Sequence, residues 1–223
     1  MIQRGEEPSC VTYNILMNGH CLDNRIDDAM ELFVLMEAKG RKRDVVIFNV
    51  LISWYCKSQK LKEAMRLFEE MIRQKYKRNV ITFNTLLLSL FKVDRVKHAH
   101  ELFGKMKFPE VIPNSATYDI LSNGYIENNC LVDAMKLICT LDISTLNFGI
   151  DTYNCVLDRL CKAGELDLAS ELFGTLFHKG LVSNVVTYTI MIHGFSKHRN
   201  MEKTNNLSLK MEKEGCVYMI GLF

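Results

Sequence analysis

The sequence is short of most of what marks membrane insertion, secretion or catalysis. It holds one tryptophan and three prolines in 223 residues. No apolar run in it approaches the roughly 20 residues that a membrane-spanning helix needs. The opening stretch, Met1-Ile2-Gln3-Arg4-Gly5-Glu6-Glu7-Pro8, lacks the apolar core of a secretory signal and carries acidic residues foreign to a transit peptide. No glycine-rich phosphate loop, His-Glu-x-x-His pair or nucleophile motif is present. The formal net charge is only +2, so any affinity for nucleic acid must come from where charges sit rather than from bulk basicity.

The eight cysteines form no Cys-x-x-Cys pair and no Cys/His grouping at zinc spacing. Cys21, Cys56 and Cys161 share one register and read as small, buried, reduced thiols on helices, which suits an intracellular protein. His98-Ala99-His100-Glu101 invites a metal or acid–base role. Yet no Pro-Cys-x-x-Cys follows, as the zinc deaminases require, and Ala99 falls on a packing register. These residues are expected to flank that register on a helix. No cofactor, metal or enzyme is expected. What the chain does have is 48% hydrophobic and 24% charged residues, with twelve methionines; that is the balance of a folded, helix-leaning protein.

Self-comparison reveals the organisation. Tyr13, Phe48, Phe83, Tyr118, Tyr153 and Tyr188 stand 35 residues apart. The same interval separates Ala29, Ala64, Ala99, Ala134 and Ala169, with Thr204 as the exception. It recurs in Leu32, Leu67, Leu102, Leu137, Leu172 and Leu207, and in Phe33, Phe68, Phe103, Ile138 and Phe173, where Ser208 breaks the column. Met36, Met71, Met106, Leu141, Leu176 and Met211 complete the frame. These columns are expected to be core.

Within a copy the apolar spacing is helical twice over: Val46, Phe48, Leu51, Ile52 and Tyr55, then Leu61, Ala64, Met65, Leu67, Phe68 and Met71. Polar breaks such as Lys57-Ser58-Gln59-Lys60 and Lys162-Ala163-Gly164-Glu165 separate the two helices. Gly40, Gly180 and Gly215 stand where the second helix should end in a left-handed cap. The expectation is an all-α fold, a right-handed α-solenoid of stacked helical hairpins with an extended concave surface. Its repeats are 10–44, 45–79, 80–114, 115–149, 150–184 and 185–219, with the fourth, and the second half of the sixth, degenerate. Residues 1–9 read as the tail of a preceding repeat, and 220–223 as a tail departing from the pattern. Apolar, uncapped ends suggest a piece of a longer array and a route to self-association.

The period differs from the 34 of tetratricopeptide repeats. Val11-Thr12-Tyr13-Asn14-Ile15-Leu16-Met17, Val186-Thr187-Tyr188-Thr189-Ile190-Met191-Ile192 and Ala29-Met30-Glu31-Leu32-Phe33 closely resemble the pentatricopeptide repeat. The uniform period is similar to the pure 35-residue-repeat subclass, most of all to plant restorer-of-fertility-like members. The resemblance implies sequence-selective binding of single-stranded RNA, one base per repeat, in organellar RNA processing, stabilisation or translation control. It implies a mitochondrial or plastid location, although the N-terminus provides no route there.

By the same resemblance, the residue after the aromatic and the last residue of the repeat select the base. Asn14 with Asp44 resembles a uridine pair. Asn49 with Asn79, Asn84 with Asn114 and Asn154 with Asn184 resemble pyrimidine pairs that favour cytidine. Asp119 with Gly149 matches no pair, and Thr189 points to a purine while Met219 stands where its partner belongs. The expected target is 5′-U-Y-Y-N-Y-R-3′, which a random sequence meets about once in ~64 sites, too often for unique targeting. Val11, Val46, Ile81 and Val186 are expected to pack against bases; Ala116 and Asp151 replace them in the fourth and fifth repeats. Lys57, Lys92, Lys162 and Lys197 are expected near phosphate, with Leu22 and Glu127 breaking that ladder.

Two other readings stay open on the sequence alone. Asparagine after the aromatic is also an ordinary choice for a helix start, and helical repeats bind proteins as readily as RNA. A protein-binding scaffold, or a truncated fragment without activity, is the alternative. The periodic pairing of Asn with Asp or Asn discriminates, because a peptide groove has no need of it.

Overall fold

A computed structural model describes residues 8–106, 111–140 and 149–216. Among them are twelve α-helices and no strand. They pair in chain order into six hairpins: α1 (Cys10–Leu22) with α2 (Ile26–Ala38), α3 (Val45–Lys57) with α4 (Leu61–Arg73), α5 (Val80–Lys92) with α6 (Val96–Met106), α7 (Ser115–Glu127) with α8 (Leu131–Thr140), α9 (Ile150–Ala163) with α10 (Leu166–His178), and α11 (Val185–Lys197) with α12 (Met201–Lys213). The chain divides into two compact units between Ile120 and Leu121. In the first unit α1 packs on α3 and α3 on α5, while α2 and α4 each wedge against the first helix of the next hairpin. In the second, α9 packs against α8, α10 and α11, and α11 against α12.

Local chemistry sets the helix ends. The residue before most first helices caps it by accepting a backbone N–H: Ser9 from Thr12, Asp44 from Ile47, Asn79 from Thr82, Asn114 from Thr117 and Asn184 from Thr187. Such caps are worth about 1 kcal/mol each. At the other end the chain turns left-handed. Gly40, Gly180 and Gly215 do so after second helices, with φ of +67°, +70° and +70°. The turn inside the hairpin does the same at Asn24, Gln59, Asp94, Asn129, Gly164 and Arg199. Each is closed by an N–H reaching back five residues, as from Arg25 to His20 and from Lys60 to Tyr55. The polar breaks are therefore shorter than the sequence implied, since α3 runs through Lys57 and α9 through Ala163.

The columns form the core with local exceptions. Ala29, Ala64, Ala99, Ala134 and Ala169 are fully buried, and Thr204 fits the same slot by donating its hydroxyl to the Asn200 carbonyl. Leu32, Leu137, Leu207, Tyr118, Phe103 and Phe173 are only half-buried; Leu141 lies outside the described residues. The Phe column of one hairpin meets the aromatic column of the next edge to face: Phe33 on Phe48 at 5.2 Å, Phe68 on Phe83 at 5.5 Å, Phe103 on Tyr118 at 6.1 Å and Phe173 on Tyr188 at 5.6 Å. Each such pair adds about 0.5–1.5 kcal/mol beyond burial. Cys21 and Cys161 are buried as expected, but Cys56 is only half-buried, beside Ser89, whose hydroxyl partly offsets the upward push of burial on the thiol. His98, His100 and Glu101 sit exposed on α6 around buried Ala99, and no three metal-ligating groups gather among the described residues.

Candidate nucleic-acid interface

The residue after each aromatic is the fifth of its helix, more than a turn inside it. This corrects the alternative in which Asn14, Asn49, Asn84 and Asn154 begin the helix; the capping is done by Ser9, Asp44, Asn79, Asn114 and Asn184. Four Asn side chains then reach the cap of the next hairpin's first helix. Asn14 Nδ2 donates to Asp44 Oδ2 at 3.2 Å, Asn49 Nδ2 to Asn79 Oδ1 at 3.2 Å, Asn84 Nδ2 to Asn114 Oδ1 at 3.5 Å and Asn154 Nδ2 to Asn184 Oδ1 at 3.5 Å. Residues thirty apart in sequence thus become one polar unit, repeated from hairpin to hairpin.

The caps differ in what they leave available. Asp44 is acceptor-only when ionised: Oδ1 takes the Ile47 N–H and Oδ2 takes Asn14 and the Cys10 thiol at 3.2 Å. Burial, followed by the Asp44 hydrogen bond and charge, raises the Cys10 pKa, so the thiol stays a donor. In Asn79, Asn114 and Asn184 the oxygen is committed to the helix N–H and to the preceding Asn. The amide NH2 is then the group each can offer outward. The Asn-x-x-Thr spacing of these caps is a capping-box signature that sequence reading could have used.

Three residues before the residue after the aromatic, and so on the same helix face, four first helices carry an exposed aliphatic. Val11, Val46, Ile81 and Val186 sit in the first turn of α1, α3, α5 and α11, and are 64%, 54%, 59% and 54% exposed. Ala116 and Asp151 occupy the same register in α7 and α9 and are also exposed. A single exposed aliphatic is ordinary, but here exposure recurs at one register of four first helices. Asn14, Asn49 and Asn84 are half-buried next to them, whereas Asn154 is only 5% exposed.

The lysines end the first helices. Lys57, Lys92 and Lys197 are the last residues of α3, α5 and α11, and all are exposed. Lys57 Nζ lies 4.7 Å over the Trp54 ring. Lys162 instead pairs with Asp158 at 2.7 Å, one helical turn earlier. Thr189 returns its hydroxyl to the Val185 carbonyl at 2.7 Å, and its expected partner Met219 lies outside the described residues. Asp119 and Gly149 fall in different units and are both exposed.

Comparison with known proteins agrees with this plan. Family models described as "PPR repeat family" match residues 43–87, 78–127 and 149–197. Models described as "PPR repeat" match 4–37 and 186–216. Two chloroplastic pentatricopeptide repeat-containing proteins of Arabidopsis thaliana are similar: one is 22% identical over 47% of this chain, the other 28% identical over 35%. These stretches amount to 14% and 9% of the two relatives, so the chain spans a small part of their length. The crystal structure of the maize pentatricopeptide repeat protein PPR10 superposes with a TM-score of 0.76 at 20% identity, over 92% of this chain and 30% of that one. The same maize protein in complex with an 18-nt psaJ RNA element gives 0.59 at 23%, over 96% and 30%. The PPR domain of Arabidopsis thaliana protein-only RNase P 1 in complex with tRNA gives 0.55 at 16%, over 76% and 89%. The structural likenesses establish an all-α repeat solenoid; with family models matching most of its length, the chain belongs to the pentatricopeptide repeat family.

Proposed function

We propose that the chain binds single-stranded RNA, one base per hairpin. The observation that carries the reading is the recurrence of an Asn–Asp or Asn–Asn hydrogen-bonded unit next to an exposed aliphatic side chain. An aliphatic surface can cover a base face, and the polar unit can meet its Watson–Crick edge. Cap chemistry gives the selectivity a cause. Uracil presents an N3–H donor, which suits acceptor-only Asp44; cytosine presents an N3 acceptor, which suits the free NH2 of Asn79, Asn114 or Asn184. A wrong edge leaves a polar group without its partner, at a cost of about 1–3 kcal/mol.

The reading is 5′-U-Y-Y-N-Y-R-3′, with Asn14–Asp44, Asn49–Asn79, Asn84–Asn114 and Asn154–Asn184 as selectors. Thr189 and Asp119 are the selectors of the sixth and the fourth, permissive, positions. Val11, Val46, Ile81 and Val186 pack against bases. Lys57, Lys92 and Lys197 lie near phosphate, and Lys162 does so on releasing Asp158. The solved RNA complexes of similar fold support an RNA ligand, and the chloroplastic names of the relatives support an organellar setting, plastid or mitochondrion, in RNA processing. First helices beginning at 35-residue intervals support the pure-repeat, restorer-like subclass.

The test is fluorescence anisotropy of the purified chain with a labelled RNA containing UCCACA against a purine-swapped control, repeated across salt. Preference for the pyrimidine RNA is expected, shifting towards purines with Asn49→Thr and Asn84→Thr. The salt slope should be near −0.7 for each phosphate engaged. A folded, monomeric sample that binds neither RNA overturns the reading in favour of a protein-binding scaffold or a fragment inactive alone.

A further inference from the structure

We infer that Thr82 is a positioning residue for the base read by the second hairpin: its hydroxyl holds the Asn49 carboxamide in the orientation the reader unit requires. The inference rests on the RNA reading proposed above. Thr82 is fully buried at the third residue of α5, and its Oγ1 lies 2.6 Å from Asn49 Oδ1. One other acceptor competes for the hydroxyl hydrogen, Asn79 Oδ1 at 3.0 Å, while Asn79 N donates into an Oγ1 lone pair at 3.4 Å and does not compete. A hydroxyl has one hydrogen to give. Asn79 Oδ1 already accepts from Thr82 N and Asn49 Nδ2, while Asn49 Oδ1 has no other donor among the described residues. The hydrogen therefore goes to Asn49, and both ends of its amide are tied, the oxygen to Thr82 and the nitrogen to Asn79.

The other reader units lack the second tie. Asn14 Oδ1, Asn84 Oδ1 and Asn154 Oδ1 are buried with no hydrogen-bond partner among the described residues. Facing Asn14, the register of Thr82 is filled by Ile47, which has no hydroxyl. Thr117 and Thr187 do carry one, but it contacts only their own caps, Asn114 and Asn184, at 3.0 Å. An amide held at one atom can rock about its side-chain torsion; one held at both cannot without breaking a buried bond. Discrimination should accordingly be sharpest at the second position.

Thr82→Val, Thr82→Ser and Thr117→Val chains test this. Thr82→Val keeps the shape and removes the hydroxyl. It should lower cytidine-over-purine discrimination at the second RNA position about fivefold, the scale of one neutral hydrogen bond, and leave the third position unchanged. Thr82→Ser should restore it. Thr117→Val removes the equivalent capping contact without touching Asn84, and should leave third-position discrimination intact. Unaltered second-position discrimination in Thr82→Val, or an equal loss at the third position in Thr117→Val, overturns the inference. An RNA-free readout separates it from the binding proposal: the Asn49 side-chain NH2 resonances should shift and exchange faster in Thr82→Val, and return in Thr82→Ser. Unmoved Asn49 signals overturn the positioning role whether or not RNA binds; moved signals in a chain that binds no RNA overturn the base-reading proposal and, with it, the role in selectivity.

Discussion

Arg43 of the first hairpin donates to Glu70 of the second at 2.9 Å. The guanidinium is almost wholly buried; it also meets Glu37 at 2.7 Å, donates to the Phe33 carbonyl and lies 3.7 Å over the Phe33 ring. It ties two second helices that otherwise touch mainly through the first helices between them. Removing one partner of a buried charge costs more than the pair itself contributes, because the survivor is left desolvated. Glu70→Ala should therefore lower stability by about 1–3 kcal/mol, read as the urea midpoint, with little dependence on salt. Asp158→Ala, which frees the exposed Lys162, should cost only about 0.3–0.5 kcal/mol. Equal effects of the two substitutions would refute the lock.

Gly194 of α11 is built into a close approach to α9. A Cβ placed there would stand 2.6 Å from both Cβ and Sγ of Cys161. Gly19, at the same register of α1, has nothing within 4 Å of such an atom. Both lie inside helices, where Gly→Ala by itself gains up to about 1 kcal/mol. Gly19→Ala should raise the melting temperature. Gly194→Ala should lower it, since overpacking costs about 1–3 kcal/mol. Cys161→Ala keeps the Cβ and should rescue little of the loss, whereas Cys161→Gly should rescue more. A stabilised Gly194→Ala chain would show that the helices can part without penalty.

These two contacts mark where sequence reading stops. The columns were legible because packing repeats with the period: Ala29 through Ala169 are identical and equally buried. The selector positions came from family resemblance, but their joining did not, because a hydrogen bond between Asn49 and Asn79 depends on how one hairpin seats on the next. Arg43 belongs to none of the repeated columns, and only the carboxylates of Glu37 and Glu70 make it a lock. Left-handed turns at Gln59 and Arg199 were invisible for a different reason: neither residue favours positive φ, and the five-residue hydrogen bond imposes it. Cys56 shares the register of the buried Cys21 and Cys161 yet is only half-buried, a difference that the repeat period alone does not carry.

The buried thiols should leave a signature in alkali. Burial pushes Cys21 and Cys161 from 9.0 up to about 11. On unfolding they ionise near the ordinary value, so the unfolded chain binds fewer protons than the folded one between those limits. Stability from this source is complete below pH 9 and is lost as pH rises towards 11. Tyr125 and Tyr153, raised by burial from 10.0 to about 12, extend the decline above pH 10. The urea midpoint should fall from pH 9 upward, and the Cys21→Ala, Cys161→Ala double variant should flatten the part between pH 9 and 10. Exposed Cys155 should meanwhile react with iodoacetamide well before either buried thiol. A midpoint constant to pH 10 in the parent chain would contradict this account.

The cap chemistry makes its own demand on RNA selectivity. Asn79 and Asp44 perform the same structural task, each accepting the N–H three residues on, at 3.0 and 2.9 Å. They differ in the atom left over, an NH2 donor in one and a carboxylate acceptor in the other. Asn79→Asp should preserve the helix cap, since Asp and Asn cap equally well, and should leave the melting temperature nearly unchanged. The donation from Asn49 Nδ2 survives as well, as it does from Asn14 to Asp44. Only the face offered to a base is inverted, so the second RNA position should change from cytidine to uridine preference by about tenfold, the effect of one mismatched polar contact. Asp44→Asn should make the reverse change at the first position. Competition anisotropy with RNAs differing at a single base reads both. If both variants fold as the parent does and keep its base preferences, the cap residues hold the helices alone and the bases are chosen elsewhere.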